Sequence, residues 1–230
     1  MTLHREDAFA HDSRRVALFD LDGTLVDSLE GMAMAVNRLL RSLGARPLSL
    51  SEAAPFLGHG LVNLARRACH SRGVEPSVGD IDTFMQDYLD DPLTGTRLYP
   101  GVLPTLAVLA QQGWRLGVCT NKAEAAATTI LDGLGILGYF DVVCGGDSVA
   151  WPKPDPRHIA HALEAAGLDA CPAVLIGDTV VDVEAARAFG IPYIFAAWGY
   201  GAMPADVDES SIATAIADVP HMLERTMKPA

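Results

Sequence analysis

The chain of 230 residues is poor in basic side chains, with 17 lysines and arginines against 29 aspartates and glutamates and a formal net charge of -12. Binding to nucleic acid or to an anionic membrane surface requires basic patches, so we expect neither as a partner. A small anionic substrate is compatible with this balance, because a metal ion and a few lysines can reverse the local potential.

Cysteine is also scarce. The 4 cysteines are widely spaced and form no C-x-x-C pair, which excludes a zinc knuckle and a thioredoxin-like motif. Cys119 and Cys144 lie in apolar runs typical of buried strands, where cysteine usually acts as a small hydrophobic side chain. This pattern is typical of a protein in a reducing compartment.

Long hydrophobic runs are absent as well. No run reaches the length of about 18 apolar residues that crosses a bilayer. Residues 1–14 are mostly polar and lack the apolar core of a signal peptide. We therefore expect a flexible tail over residues 1–14, no association with a membrane and a cytoplasmic location.

Half of the residues are hydrophobic, enough for a sizeable core, and short apolar runs alternate with helical patterns. The runs typical of buried strands cover residues 16–19, 115–119, 142–144, 173–176 and 193–197. The helical patterns cover residues 104–112, 122–135, 156–166 and 181–189. This alternation predicts an α/β fold with a doubly wound, Rossmann-like parallel sheet.

The segment that follows the first strand breaks the alternation. Residues 27–98 show no convincing strand but several amphipathic helical patterns, at 29–43, 61–72 and 81–89. We interpret residues 27–98 as an inserted helical cap, and residues 15–26 and 99–230 as a discontinuous catalytic core.

Polar clusters follow the predicted strands or precede a helix. They are Asp20-Leu21-Asp22-Gly23-Thr24, Thr120-Asn121-Lys122, Lys153-Pro154-Asp155-Pro156 and the segment from Gly177-Asp178 to Asp182. Ligands of open α/β sheets bind beyond the carboxyl ends of the strands, so the fold is expected to gather these clusters at one edge.

The chemistry of the clusters is coherent. Carboxylates at Asp20 and Asp178 suit Mg²⁺, which prefers oxygen ligands, and a lysine with a hydroxyl can hold phosphate oxygens. A carboxylate can attack phosphorus as a covalent nucleophile. A second carboxyl two residues further on, at Asp22, can protonate the leaving oxygen and then deprotonate water.

These residues resemble the motifs of the haloacid dehalogenase superfamily, in its phosphatase branch, over about residues 16–200. The resemblance implies a haloacid dehalogenase-like fold, with Asp20 as nucleophile and Asp22 as general acid and base. It also implies Mg²⁺ bound by Asp20, the Asp22 carbonyl, Asp178 and Asp182, the last of them directly or through water. Catalytic contacts to the phosphoryl oxygens are expected from Thr120 and Lys153.

Substrate-binding roles are also expected for Asn121 and for His59, which lies in a Gly58-His59-Gly60 break of the cap pattern. Several of these residues also fit a purely structural role. Asp20 and Asp22 are common turn formers, Thr120 or Asn121 fits a helix cap, and Lys153 fits a solvated loop. Asp182 with Thr179 also fits a helix start. The cap residues Arg66 and Arg67 fit exposed helix positions, and the alternative is that one of them contacts a substrate carboxylate.

Residue types separate the branches of the superfamily. The dehalogenases and phosphonate hydrolases of the superfamily lack an aspartate at the position of Asp22. Met32 stands where β-phosphoglucomutase has a cap histidine. The phosphoglycolate phosphatase group matches most closely, in stretches such as Phe56-Leu57-Gly58-His59-Gly60 and Val118-Cys119-Thr120-Asn121-Lys122. The fourth motif of that group often carries Asn-Asp, where this chain has Val181-Asp182.

The sequence therefore predicts a Mg²⁺-dependent phosphomonoesterase that forms an aspartyl-phosphate and acts on 2-phosphoglycolate or a similar small phosphorylated metabolite. The alternatives are a sugar-phosphate phosphatase, a pyrophosphatase, a phosphoglucomutase-type phosphotransferase and a non-catalytic phospho-ligand binding module. We expect a monomer or a homodimer.

Overall fold

The computed structural model describes residues 14–58 and 60–227. The strands are β1 (Arg15–Phe19), β2 (Val26–Asp27), β3 (Arg97–Leu98), β4 (Trp114–Cys119), β5 (Val142–Cys144), β6 (Ala173–Gly177), β7 (Tyr193–Ala196) and β8 (Ile212–Ala213). The α-helices are α1 (Leu29–Ser42), α2 (Leu50–Ala53), α3 (Leu61–Ser71), α4 (Val78–Asp90), α5 (Val102–Gln111), α6 (Glu124–Gly133), α7 (Arg157–Ala165), α8 (Val180–Phe189) and α9 (Val219–Thr226).

The central sheet has six strands in the order β5-β4-β1-β6-β7-β8, and every pairing in it is parallel. This confirms the predicted fold class, and each of the five predicted strands is present. β8 was not predicted because two residues are too few to show a period of two.

Side chains of β1 alternate between the two faces of the sheet. Ala17 and Phe19 join a hydrophobic cluster with α5, α6 and α9, whereas Val16 and Leu18 join a cluster with α7 and α8. Both faces of β1 are therefore covered, which explains why its sequence is a continuous apolar run rather than an alternating one.

The inserted cap consists of α1 to α4 and has its own hydrophobic cluster, which includes Val36, Leu64 and Phe84. The chain enters and leaves it through an antiparallel pair in which Val26 faces Leu98 and Asp27 faces Arg97. We predicted no strand in residues 27–98, and that prediction was wrong for Asp27, Arg97 and Leu98. Each partner strand has only two residues, so pairing across the cap, rather than local pattern, makes them strands.

The cap is confirmed as an inserted helical unit, while its limits as a separate domain stay a prediction. The expected tail over residues 1–14 lies outside the described residues except for Arg14. Within the described ranges, the helices are all too short or too polar to span a membrane.

Candidate active site

The carboxyl ends of the four adjacent strands β5, β4, β1 and β6 meet at one edge of the sheet. Asp20 follows β1, and its N–H donates to the Ile176 carbonyl of β6 (2.8 Å). Thr120 follows β4, and its N–H donates to the Cys144 carbonyl of β5 (3.0 Å). The backbone pairing thus extends to the first residue of the loops after β1 and β4, and it fixes the positions of Asp20 and Thr120 at the edge of the sheet.

Three buried carboxylates lie together at this edge. Asp20, Asp178 and Asp182 each offer an oxygen within 4.8 Å of the others. Burial raises the pKa of Asp20 to about 6, and burial with the charges of Asp20 and Asp182 raises the pKa of Asp178 well above its ordinary value. Such a cluster of like charges is stable only when a cation or a proton balances it.

Asp178 is held by the loops around it. Its Oδ2 accepts hydrogen bonds from the N–H groups of Tyr200 (2.8 Å) and Gly201 (3.3 Å), and its Oδ1 accepts one from Thr24 Oγ1 (3.3 Å). Gly23 has a φ of +85°, and a Cβ there would lie 2.2 Å from Asp178 Oδ2. The glycine after Asp22 is therefore required both by its backbone angle and by the space that Asp178 occupies.

Lys153 bridges the carboxylates. Its Nζ lies 2.6 Å from Asp182 Oδ1 and 3.1 Å from Asp20 Oδ1. Burial acts to lower the pKa of this lysine, but attraction to Asp182 and Asp20 outweighs it, and the net pKa is raised. Lys153 is therefore a buried cation, and the alternative of a solvated loop lysine was wrong because its side chain is 1% exposed.

Two neighbours orient the backbone of Lys153. Its carbonyl accepts a hydrogen bond from Asn121 Nδ2 (2.9 Å), and its N–H donates to Nδ1 of the fully buried His158 (3.2 Å). Asn121 Nδ2 also reaches the Gly58 carbonyl of the cap, at 3.5 Å. Sequence reasoning missed His158, because a lone histidine on a helix gives no sign of the loop it supports.

Asp182 combines the two roles that the sequence left open. Its Oδ2 accepts hydrogen bonds from Thr179 N–H (3.0 Å) and Thr179 Oγ1 (2.7 Å), a capping arrangement at the start of α8. Its Oδ1 faces Lys153. One oxygen starts the helix and the other belongs to the carboxylate cluster.

The Asp22 carboxylate lies outside that cluster. It accepts hydrogen bonds from Ser28 Oγ (2.5 Å) and, through its two oxygens, from Lys122 Nζ (3.0 and 2.9 Å). Lys122 is 3% exposed, and its Nζ lies 4.8 Å from the ring centroid of Tyr88 on α4. Burial acts to lower the pKa of Lys122, but Asp22 and Tyr88 raise it overall. Sequence reasoning noted this lysine only as part of a motif.

A cavity separates these groups from the cap. Its core side includes Asp20, Asp22, Thr120, Lys122 and Lys153, and its cap side is formed by Met32, Leu57, Gly58, Gly60, Leu61 and Leu64. The predicted substrate residue His59 lies outside the described residues. Arg66 and Arg67 are exposed on α3 and do not line the cavity.

Tyr200 connects the core to the first helix of the cap. Its hydroxyl donates to Asp27 Oδ1 (2.8 Å) and accepts hydrogen bonds from the N–H groups of Ser28 (2.7 Å) and Leu29 (3.1 Å). These N–H groups have no partner within α1, so a core tyrosine supplies the cap of this helix.

A family model described as haloacid dehalogenase-like hydrolase matches residues 17–196, most of the chain. The chain belongs to the haloacid dehalogenase-like hydrolases. Membership confirms the family resemblance, and the matched range includes every motif residue from Asp20 to Asp182.

Relatives of this hydrolase carry phosphatase names. It is 38% identical over 211 residues to a plasmid-encoded phosphoglycolate phosphatase of Cupriavidus necator, covering 90% of this chain and 91% of the relative. It is 40% identical over 191 residues to a phosphoglycolate phosphatase of Cereibacter sphaeroides, covering 81% and 87% of the two chains. The chain is therefore an enzyme, a hydrolase of the phosphatase type.

A solved structure shares the fold. The crystal structure of a predicted phosphoglycolate phosphatase from Haemophilus somnus superposes with a TM-score of 0.80 and 29% identity, covering 90% of this chain and 97% of that one. The similarity extends over core and cap together.

Proposed function

We propose that this phosphatase hydrolyses a small phosphomonoester, with 2-phosphoglycolate as the first candidate, through an aspartyl-phosphate on Asp20 and with Mg²⁺ as cofactor. The proposal rests above all on the surroundings of Asp20. This carboxylate lies within 4.8 Å of those of Asp178 and Asp182, and its buried Oδ1 lies 3.1 Å from the Lys153 ammonium and accepts no hydrogen bond from the described residues.

The buried carboxylates fit a magnesium ion. Asp20, Asp178 and Asp182 would hold it, together with the backbone carbonyl of Asp22, and oxygen ligands of this kind are those that Mg²⁺ prefers. When bound, the ion supplies positive charge that keeps the carboxylates ionised and offsets charge on the phosphoryl oxygens.

The chain's own residues account for both displacements. An oxygen of Asp20 attacks phosphorus, the bond to the ester oxygen breaks, and Asp22 gives its proton to that leaving oxygen. Water then attacks phosphorus, Asp22 takes up a proton from it, and the bond to Asp20 breaks. The Thr120 hydroxyl and the Lys153 ammonium hold the phosphoryl oxygens.

Met32 favours water over a sugar hydroxyl as the final acceptor. It lines the cavity from α1, and a thioether does not take up a proton from an attacking hydroxyl. This supports hydrolysis over transfer to a sugar. The names of the two bacterial relatives support phosphoglycolate as substrate.

The proposal is tested by measuring phosphate release with Mg²⁺ from phosphoglycolate, pyrophosphate, sugar phosphates and nucleoside monophosphates. We expect the highest kcat/KM with phosphoglycolate, and we expect Asp20→Asn to lower kcat by about 10³-fold or more while the fold is retained. Asp132→Asn, at an exposed position of α6, is the matched control. Near-normal turnover in Asp20→Asn would remove Asp20 as nucleophile, and a wild-type protein inactive on all monoesters would contradict the function.

A further inference from the structure

Lys122 is a buried cation that the proposed displacements leave without a function. It lines the cavity beside Asp22, and its side chain is 1% exposed. Asp22 is the carboxylate paired with it within the described residues. Placing an ammonium in a site shielded from water is costly, and a substrate that brings a second negative charge to it would offset that cost.

The cap side of the cavity offers no competing cation among the described residues. Its side chains there are apolar, those of Met32, Leu57, Leu61 and Leu64. Lys153, the other lysine of the cavity, is paired with Asp182 and Asp20 on the phosphoryl side. An anionic group on the leaving part of the substrate therefore has Lys122 as its available counter-charge.

The position of Lys122 follows from that of Asp22. A general acid must come within about 3 Å of the leaving oxygen, and Lys122 Nζ lies 3.0 and 2.9 Å from the two oxygens of Asp22. The ammonium is thus within about 6 Å of the ester oxygen in the reacting complex. In a phosphorylated 2-hydroxy acid with no further substituent, the carboxylate is one methylene away from that oxygen.

We propose that Lys122 is the specificity-determining residue of this site, binding the carboxylate of a short phosphorylated hydroxy acid next to the ester oxygen. The inference rests on the proposed function and adds the group that selects the substrate. Sugar phosphates and nucleotides place neutral carbons and hydroxyls at this point, which leaves the buried ammonium without a second anionic partner.

The test compares phosphoglycolate with ethyl phosphate, in which a methyl group replaces the carboxylate. We expect wild type to prefer phosphoglycolate in kcat/KM by about 100-fold, and Lys122→Met to reduce this preference by about 10- to 100-fold, the range of one charge-assisted hydrogen bond. Lys122→Arg should keep more of the preference than Lys122→Met. Arg66→Met and Arg67→Met, on the exposed face of α3, should leave it unchanged.

The outcomes separate this inference from the function it rests on. If wild type releases phosphate from neither ester, the proposed function fails. Three outcomes leave the enzyme a phosphatase but contradict the role of Lys122. Wild type hydrolyses both esters equally well, Lys122→Met slows both by the same factor, or Arg66→Met or Arg67→Met removes the preference. Should Lys122→Met not fold, calorimetric binding of both esters to the folded Asp20→Asn variant decides, since the inference requires tighter binding of phosphoglycolate.

Discussion

Single side chains in this site serve two partners at once. Asp182 divides its oxygens between Thr179 and Lys153, and Asn121 reaches both the cap loop and the Lys153 carbonyl through the same amide nitrogen. Helix capping and site chemistry are therefore not alternatives for Asp182. The helix cap that the sequence offered for Asn121 was wrong, because α6 begins after Ala123 without a side-chain cap. A substitution at either is expected to change the fold locally and the reaction together.

We expect His158 to make the free energy of unfolding depend on pH. Burial and the nearby charge of Lys153 lower the pKa of this histidine to about 4 from an ordinary 6.5, so the unfolded chain binds the proton more readily. The stability that His158 contributes is complete above pH 6.5 and is lost as the pH falls towards 4, by about 3 kcal/mol.

Replacing the imidazole with an amide tests this. His158→Asn keeps an acceptor near the position of Nδ1 but does not titrate. We expect denaturant unfolding of the variant to lose about 3 kcal/mol less than wild type between pH 6.5 and pH 4. Equal losses in the two proteins would show that another group causes the pH dependence. Both proteins keep the same carboxylates, whose contribution cancels.

Residues with a motif signal could be predicted from the sequence, whereas their supports could not. Asp20, Lys153 and Asp178 were expected near one another, and the structure brings them together. Lys122 pairs with a residue 100 positions away and Tyr200 with one 172 positions away. Contacts at such separations depend on how the sheet and cap are arranged, which local pattern does not report.

At the scale of elements, the loop after β1 is shaped by one glycine. Gly23→Ala places a Cβ at a φ of +85°, 2.2 Å from Asp178 Oδ2. Left-handed backbone costs about 1–2 kcal/mol for an alanine, and the clash must in addition displace Asp178. We expect lower stability in denaturant unfolding and a fall in kcat/KM of about 10-fold or more.

Gly167 provides the matched control, because its φ is +65° and no atom of the described residues lies within 4 Å of an added Cβ. Gly167→Ala should therefore show the backbone cost alone and normal kcat/KM. If the two alanine variants have equal activity, the close approach of Gly23 to Asp178 has no part in catalysis.

Elements differ in how far the sequence reveals them. The long helices and the central strands were predicted within a few residues. α4 begins at Val78 rather than at residue 81, because Ser77 and Asp80 form a reciprocal capping box. The pair β2–β3 and the strand β8 were missed, since two-residue strands exist only through partners far along the chain.

At the scale of the whole molecule, the proposed metal site predicts that binding of the cation stabilises the folded state. A ligand that binds only the native state at 100 times its Kd adds about 2.7 kcal/mol to the free energy of unfolding. We expect Mg²⁺ added to chelator-treated protein to raise the Tm by that mechanism, measured by calorimetry at constant ionic strength.

Two variants test whether the rise in Tm arises at the carboxylate cluster. Asp178→Asn removes one of the three clustered carboxylates and should lose most of the increment. Asp132→Asn, exposed on α6, should keep it. An increment that survives in Asp178→Asn would place the ion elsewhere on this acidic protein.

Tyr200 connects the carboxylate cluster to the cap. Its backbone N–H holds Asp178, while its hydroxyl holds the first turn of the cap at Ser28 and Leu29. Two equilibria, occupation of the carboxylate cluster and seating of the cap, thus share one residue. For the proposed Mg²⁺ site, any free energy by which bound cation favours the seated cap acts equally in the opposite direction. A substrate that holds the cap in place would then raise the affinity for the cation by the same factor.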